Sequence, residues 1–401
     1  MKLLFYEMRK TWLKLPILLL MIAFCILNVY KINENYQVTG RFAAENSSDM
    51  KKAYYQIYES TFSGEITAEK IKYAMENYNK LAAEIKNGNF STEYDENRLT
   101  GYVYGDYSLY HTYIIPEMEY AVTYPNISAE IVRKAYDNIA FFTEHGNYSD
   151  AAKNKYIYDL YKNRQIKNYN LTEWSDVYFK YDFSALLVMI MIICGLANSF
   201  SAETESGMYM LITASGKNVK TAIIKLISAA LYVLFLTIFF TAADMLIISN
   251  FCKIDGLSNP VYSANVFAYS PFNFTLLGAV IMCAVSKFLA FTIIAELIMI
   301  ISAAAKNSIV SVGTAFALCA GLIIAANRSD LLINPVNLLT GYELLSEFKC
   351  VTILGKPMLT LYAVIILYAV GSLVLGAAAI CLFKYSGRIN CVHIRTKKNA
   401  V

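Results

Sequence analysis

The chain has 401 residues, 57% of them hydrophobic and only 16% charged, against about 25% charged in an ordinary soluble domain. Its formal net charge of +4, with no Lys/Arg run interleaved with aromatics, gives no footing for nucleic-acid binding. The apolar residues concentrate in 13–30 and 183–383 while 31–181 reads as ordinary polar sequence, so the whole is not a water-soluble globule.

A bilayer core of roughly 30 Å needs about 20 apolar residues in a helix. The first stretch that qualifies is Leu13–Tyr30, preceded by Lys2, Arg9, Lys10 and Lys14. Its end, Phe24 to Leu27, lacks the small residues of a cleavage site, so it is expected to stay as a transmembrane helix (13–30).

Residues 31–181 form the next unit, with 17 Lys/Arg and 21 Asp/Glu and no cysteine. Thr67 caps a helix whose apolar face is Ile71, Ala74, Met75, Tyr78, Ala82 and Ile85, ended by Asn87-Gly88. A second helix is expected from a Ser128 cap to Gly146, and a third from near Ser149 through Tyr161. Tyr102–Tyr124, interrupted by Pro116, fits a kinked helix or a strand. Of the 32 tyrosines 22 lie in this unit, read as core and rim packing in preference to a ligand surface. Trp174 is expected to anchor at the membrane interface.

Five further spans follow: 183–200, then four within 222–383, namely Ala222–Ile248, Leu276–Ile301, Ser308–Ala326 and Leu359–Phe383. The short loops divide thirteen Lys/Arg on the side of the N-terminus from four on the other, which puts both termini in the cytoplasm and 31–181 outside. The expected fold class is therefore an all-α polytopic membrane protein with six transmembrane helices and a mainly helical extracytoplasmic domain. Residues 328–350 are too apolar for a free loop (Leu331, Leu332, Leu338, Leu339, Leu344 and Leu345) and should return as short half-buried helices broken at Pro335. Residues 384–401 form a basic tail. Cys252 and Cys350 both fall outside, where a disulfide is geometrically open to them.

Reactive chemistry is sparse. Gly216-Lys217 and Gly355-Lys356 lack the rest of a P-loop. His111 with Glu117 and Glu119 matches no metal spacing, so neither a metal nor a cofactor is expected on this chain. Three ionisable residues lie inside apolar stretches: Asp244, Lys287 and Glu296. Lys287 should sit near the midplane facing protein or a cavity, while Asp244 and Glu296 lie close enough to helix ends to snorkel. Nine residues apart, Lys287 and Glu296 occupy opposite helix faces.

After the second span, residues 201–221 read Glu203-Thr-Glu205-Ser-Gly207-Met208, then Leu211-Ile212-Thr213-Ala214-Ser215-Gly216, with Lys225 opening the next span. Glu203 to Ser215 is expected to form one short amphipathic helix with the acids at its N-terminus. This segment resembles the cytoplasmic coupling region of type 2 ATP-binding-cassette (ABC) export permeases, especially those of Gram-positive bacteria. Lys217 and Lys220 stand where that family often has Arg. Residues 1–14, with Leu3 to Lys10, are similar to its interfacial elbow helix, Ser302–Asn307 to its tight turn between helices 4 and 5, and Asn334–Leu339 to its outer half-helices.

The resemblance implies a permease subunit of an ATP-driven exporter in the bacterial cytoplasmic membrane, not itself an enzyme. It would pair with a second copy or a second permease and with a separate ABC ATPase that binds ATP. Glu203, Glu205, Gly207, Met208, Leu211 and Ile212 would couple to that ATPase, and the cargo would be an amphipathic peptide, drug, lipid or ion. The alternative from the residues alone is a membrane-anchored receptor whose outer domain binds a ligand.

Overall fold

The computed structural model describes residues 2–43, 48–88, 94–305, 307–328, 333–339 and 342–398, with side chains as far as Lys384. Helix α1 (Lys2–Thr11) ends on Arg9 and Lys10, where the helix dipole favours cations. A short break leads to α2 (Leu15–Thr39), with Pro16 in its first turn, where a missing N–H costs nothing. At 25 residues, about 37 Å, α2 is longer than the expected span 13–30. It runs nine residues past Tyr30 because Ile32 and Tyr36 are buried against the rest of the chain and hold that extension helical.

The polar domain comprises α3 (Ser48–Ile57), β1 (Gly64–Glu65), α4 (Ala68–Lys86), α5 (Val103–Leu109), α6 (Ile115–Glu144), α7 (Tyr148–Tyr161), β2 (Asn168–Tyr169) and α8 (Glu173–Phe179). Thr67 Oγ1 accepts from the Lys70 N–H at 3.3 Å, so the expected cap of α4 is present. Tyr102–Tyr124 is helical: a π-helical turn at Tyr110–Ile114 joins α5 to α6. The second expected helix does not start at Ser128. It is the C-terminal half of α6, which carries Pro125 within it, and Ser128 is buried with its hydroxyl donating to the Tyr161 carbonyl at 2.5 Å. A residue suited to capping is used here to clamp α6 to α7. The third helix begins at Tyr148, capped by the Asn147 side chain.

Phe42, Tyr54, Ile57, Tyr58, Phe62, Leu109, Ile114 and Tyr169 form the core of this domain. Tyrosines therefore do fill the interior, and burial pushes the Tyr54 hydroxyl up to about 12. Others, among them Tyr94, Tyr104 and Tyr148, stay exposed. Trp174 is not an interface anchor: it is fully buried, and its Nε1–H donates to the Asp255 carbonyl at 2.9 Å.

The second half contains α9 (Phe183–Leu196), α10 (Ser201–Glu205), α11 (Met208–Ala214), α12 (Asn218–Ile248), α13 (Leu276–Ala304), α14 (Ser308–Ala326), α15 (Pro335–Leu339), α16 (Tyr342–Ser346), β3 (Cys350–Ile353), β4 (Lys356–Leu359) and α17 (Thr360–Lys398). Six helical segments are long and apolar enough to cross a membrane, which makes this a multi-pass membrane protein: Leu15–Thr39, Glu173–Glu205, Asn218–Ile248, Leu276–Ala304, Ser308–Ala326 and Thr360–Lys384. The second is the most enclosed by its neighbours, and α2, α14 and α17 are the least. Helix α17 runs on unbroken through the basic segment as far as Lys398.

Helices α15 and α16 bury Leu338, Leu339, Leu344 and Leu345, in line with short returning helices; Leu331 and Leu332 lie outside the described residues. The all-α expectation needs one correction, two small antiparallel pairs, β1–β2 and β3–β4. The second is a tight hairpin whose loop residues, Leu354 and Gly355, both have positive φ, the geometry that matches strand twist. Cys252 and Cys350 are both free thiols.

The connector 249–275 packs the polar domain onto the bundle. Arg164 is its main fastening: buried and stacked against the rings of Tyr161 and Tyr262, it donates to the carbonyls of Ser270 and Phe272 and to Asn273 Oδ1. All of this guanidinium's charge is spent on fixed dipoles, which is what makes its burial tolerable.

Candidate functional site

The segment after α9 is not a single amphipathic helix. Gly207 adopts φ +73°, which a residue with a Cβ rarely does, and splits it into α10 and α11. The acids and the apolar residues therefore belong to different elements and do different things.

Glu203, on α10, is buried. Its Oε1 lies 2.9 Å from Lys225 Nζ of α12 and 2.7 Å from Lys10 Nζ of α1. Lys225 is itself 2% exposed and also reaches Glu7 Oε2 at 3.0 Å and the Ser199 carbonyl at 2.7 Å. Two carboxylates and two ammonium groups thus form a neutral knot joining α1, α10 and α12. Removing one member would strand a buried charge, so the association of the three elements depends on the set staying complete. Glu205 instead accepts from the Ser308 N–H at 3.0 Å, at the start of α14.

Helix α11 turns one side inward. Tyr209 is buried against the Phe383 ring at 5.0 Å, and its hydroxyl donates to the Phe383 carbonyl of α17 at 2.7 Å. Ile212, one turn on, is half-buried. Met208, Met210 and Leu211 face away, 49%, 60% and 65% exposed. This seven-residue helix thus carries three large apolar side chains outside and one anchor inside.

The intramembrane charges sit elsewhere. Asp244 does not snorkel: it is buried near the polar-domain end of α12, where Asn28 Nδ2–H and the Ser184 hydroxyl each donate to it at 2.7 Å. Tyr181 donates to Asn28 Oδ1 at 2.6 Å, completing a chain of neutral partners. Lys287 lines the same small cavity as Asp244, ≈ 10 Å³, about the room for one water. Among the described residues Lys287 makes no ion pair. Glu296, on the other face of α13, does not snorkel either. Its Oε1 accepts from Ser372 of α17 at 2.8 Å, and its Oε2 is buried with no partner among the described residues.

His111 stacks on Tyr78 and Tyr107, and among the described residues no group of three His, Cys, Asp or Glu side chains converges on a metal position. Sequence reasoning singled out Glu203 and Lys225 but not Glu7 and Lys10 as their partners. The usable signal was a lysine at the fourth position of the apolar span Ala222–Ile248, which needs a carboxylate from somewhere. No protein-family model, curated protein or solved structure matches the chain.

Proposed function

We propose that the chain is the membrane-spanning permease subunit of an ATP-driven ABC exporter in a bacterial cytoplasmic membrane. In this reading both termini and α10–α11 are cytoplasmic and the polar domain is extracytoplasmic. A separate ABC ATPase binds ATP and covers the exposed face of α11, and a second copy or second permease completes the pore. The order of residues from Glu203 to Lys225 supports this, as do the charge asymmetry of the loops and the elbow-like α1. The observation that carries it is the exposed Met208, Met210 and Leu211 on a helix whose other side is anchored to α17 through Tyr209. Motion of an ATPase bound there would pass through Tyr209 to α17, and through α10 and the Glu203–Lys225 knot to α1 and α12. The cargo class remains that of the resemblance, an amphipathic peptide, drug, lipid or ion.

The test is the double substitution Met208→Asp/Leu211→Asp. Both positions are exposed, so the chain should insert and fold as wild type. Two charges in an apolar groove should abolish co-purification with the ATPase subunit and transport. Retention of both by the variant overturns the assignment. Independently, a cysteine at Ser149 should react with an impermeant thiol reagent added to intact cells, and protection there reverses the topology.

A further inference from the structure

A cavity of ≈ 810 Å³ opens at the polar-domain end of the bundle, between the start of α9, the end of α14 and the short helices α15 and α16. That volume falls within the range of small-molecule sites, roughly 300–1,000 Å³.

Helix α14 sets the depth of this cavity in the bilayer. Its 19 residues make about 28 Å of helix, close to the thickness of the hydrocarbon core, so its two ends fall at the two boundaries. Ser308, at its start, meets Glu205 beside α11, so Asn327, just past its end, stands at the boundary nearer the polar domain. Asp182, which leads the polar domain into α9, lines the cavity together with Asn327.

Both helical walls grade in the same direction. On α9, exposed Asp182 is followed one turn inward by Leu186, which is 39% exposed. On α14, exposed Asn327 is preceded one turn inward by half-buried Ile323. Residues four apart share a helix face, so each wall is polar at the mouth and apolar below it. Val336 of α15, also half-buried, adds to the apolar part.

The mouth has a sign as well. The charged residues among the lining are Asp182, Glu343 and Lys349. Lys349 Nζ lies 3.6 Å from Glu343 and 3.5 Å from Glu347, so its one charge is answered twice. Asp182 makes no ion pair among the described residues, and its side chain does not cap α9. Arg328, next to Asn327 in the chain, is exposed and is not part of the lining.

We propose that this cavity binds a cationic amphiphile, with its ammonium group beside Asp182 and its apolar body against Leu186, Ile323 and Val336. An uncharged amphiphile of the same shape would leave Asp182 unanswered, and an anionic one would be repelled by it. The inference rests on the multi-pass fold alone, so failure of ATPase association would leave it standing.

The test uses the full-length chain in micelles of an uncharged polyoxyethylene dodecyl ether. The probe is an alkyltrimethylammonium with a photoreactive diazirine in its chain, and labelled peptides are mapped by mass spectrometry. Saturable labelling is expected in 183–189 and 323–327, displaced by dodecyltrimethylammonium and not by dodecyl phosphate. Asp182→Asn should weaken displacement about fivefold, the size of a partly exposed ion pair, with an unchanged unfolding transition. Ala326→Trp, at a half-buried lining position, should abolish the labelling. Labelling that does not saturate, or wild-type displacement in Asp182→Asn, would overturn the proposal. So would equal displacement by zwitterionic dodecylphosphocholine, the mark of a lipid-filled groove. Cross-linking of Leu186→Cys between two copies in preference to labelling would make this face a subunit contact and overturn it too.

Discussion

Two buried carboxylates, Glu203 and Asp244, are met in different ways at opposite ends of the bundle, Glu203 through Oε1 alone and Asp244 through both oxygens. Glu203 is held by ammonium groups from two other elements, Lys225 and Lys10. Asp244 is held at hydrogen-bond distance by neutral donors, Asn28 and Ser184, with Lys287 only across a small cavity. A charge met by opposite charge depends on every member of the set. A charge met by dipoles tolerates the loss of one donor better, since the others and a water remain. The first end is thus the one more sensitive to loss of a single side chain, and it is also the end that presents α11.

The sharpest way to break this contrast is Lys225→Met, which leaves Glu7 buried without a cation and Glu203 with Lys10 alone. A loss of about 3–5 kcal/mol is expected, read as thermal unfolding of the purified protein. The triple variant Lys225→Met/Glu7→Gln/Glu203→Gln should recover most of it, and a wild-type transition in the single variant would mean the knot is not structural. Next in size is Arg164→Met, which keeps the stem but strips the carbonyls of Ser270 and Phe272. About 3 kcal/mol is expected. The connector should also become more susceptible to limited proteolysis.

Asp244→Asn should cost less, about 1–2 kcal/mol, because Asn28 can still donate to the remaining oxygen while Ser184 loses its acceptor. A larger loss than for Lys225→Met would invert the comparison. The smallest effect is expected from Thr67→Ala, which removes the cap of α4 far from either cluster. About 1 kcal/mol is expected, measurable by hydrogen exchange in Lys70 and its neighbours.

Local features proved readable from sequence. The number of spans follows from the apolar runs, while the lengths of the first two outrun them, and the α4 cap is set by a threonine three residues from the N–H it accepts. What escaped is set by distance in sequence. Nothing near Ser128 announces that its hydroxyl serves the Tyr161 carbonyl, or that Pro125 lies inside a helix continuous from Ile115. Glu7 and Lys225 are 218 residues apart, and no periodicity links them. The segment from Glu203 to Ser215 was half legible: its acidic and apolar residues stood out, but Gly207, noticed as part of a motif, was not read as the point where one helix becomes two. Trp174 was misplaced because a tryptophan near a span end satisfies the interface rule equally well when it is buried.

Helix α2 has a mechanical consequence. About 37 Å long against a hydrocarbon core of roughly 30 Å, it leaves the bilayer without a joint. Its far end is gripped: Tyr36 stacks on Phe251 at 5.2 Å, and Asn35 meets the Val177 carbonyl. A head mounted on such a mast cannot swivel freely as one on a flexible tether would. Any twist it undergoes is delivered as torque to the buried stretch of the shaft, and Asn28, the residue that holds Asp244, sits where that torque arrives.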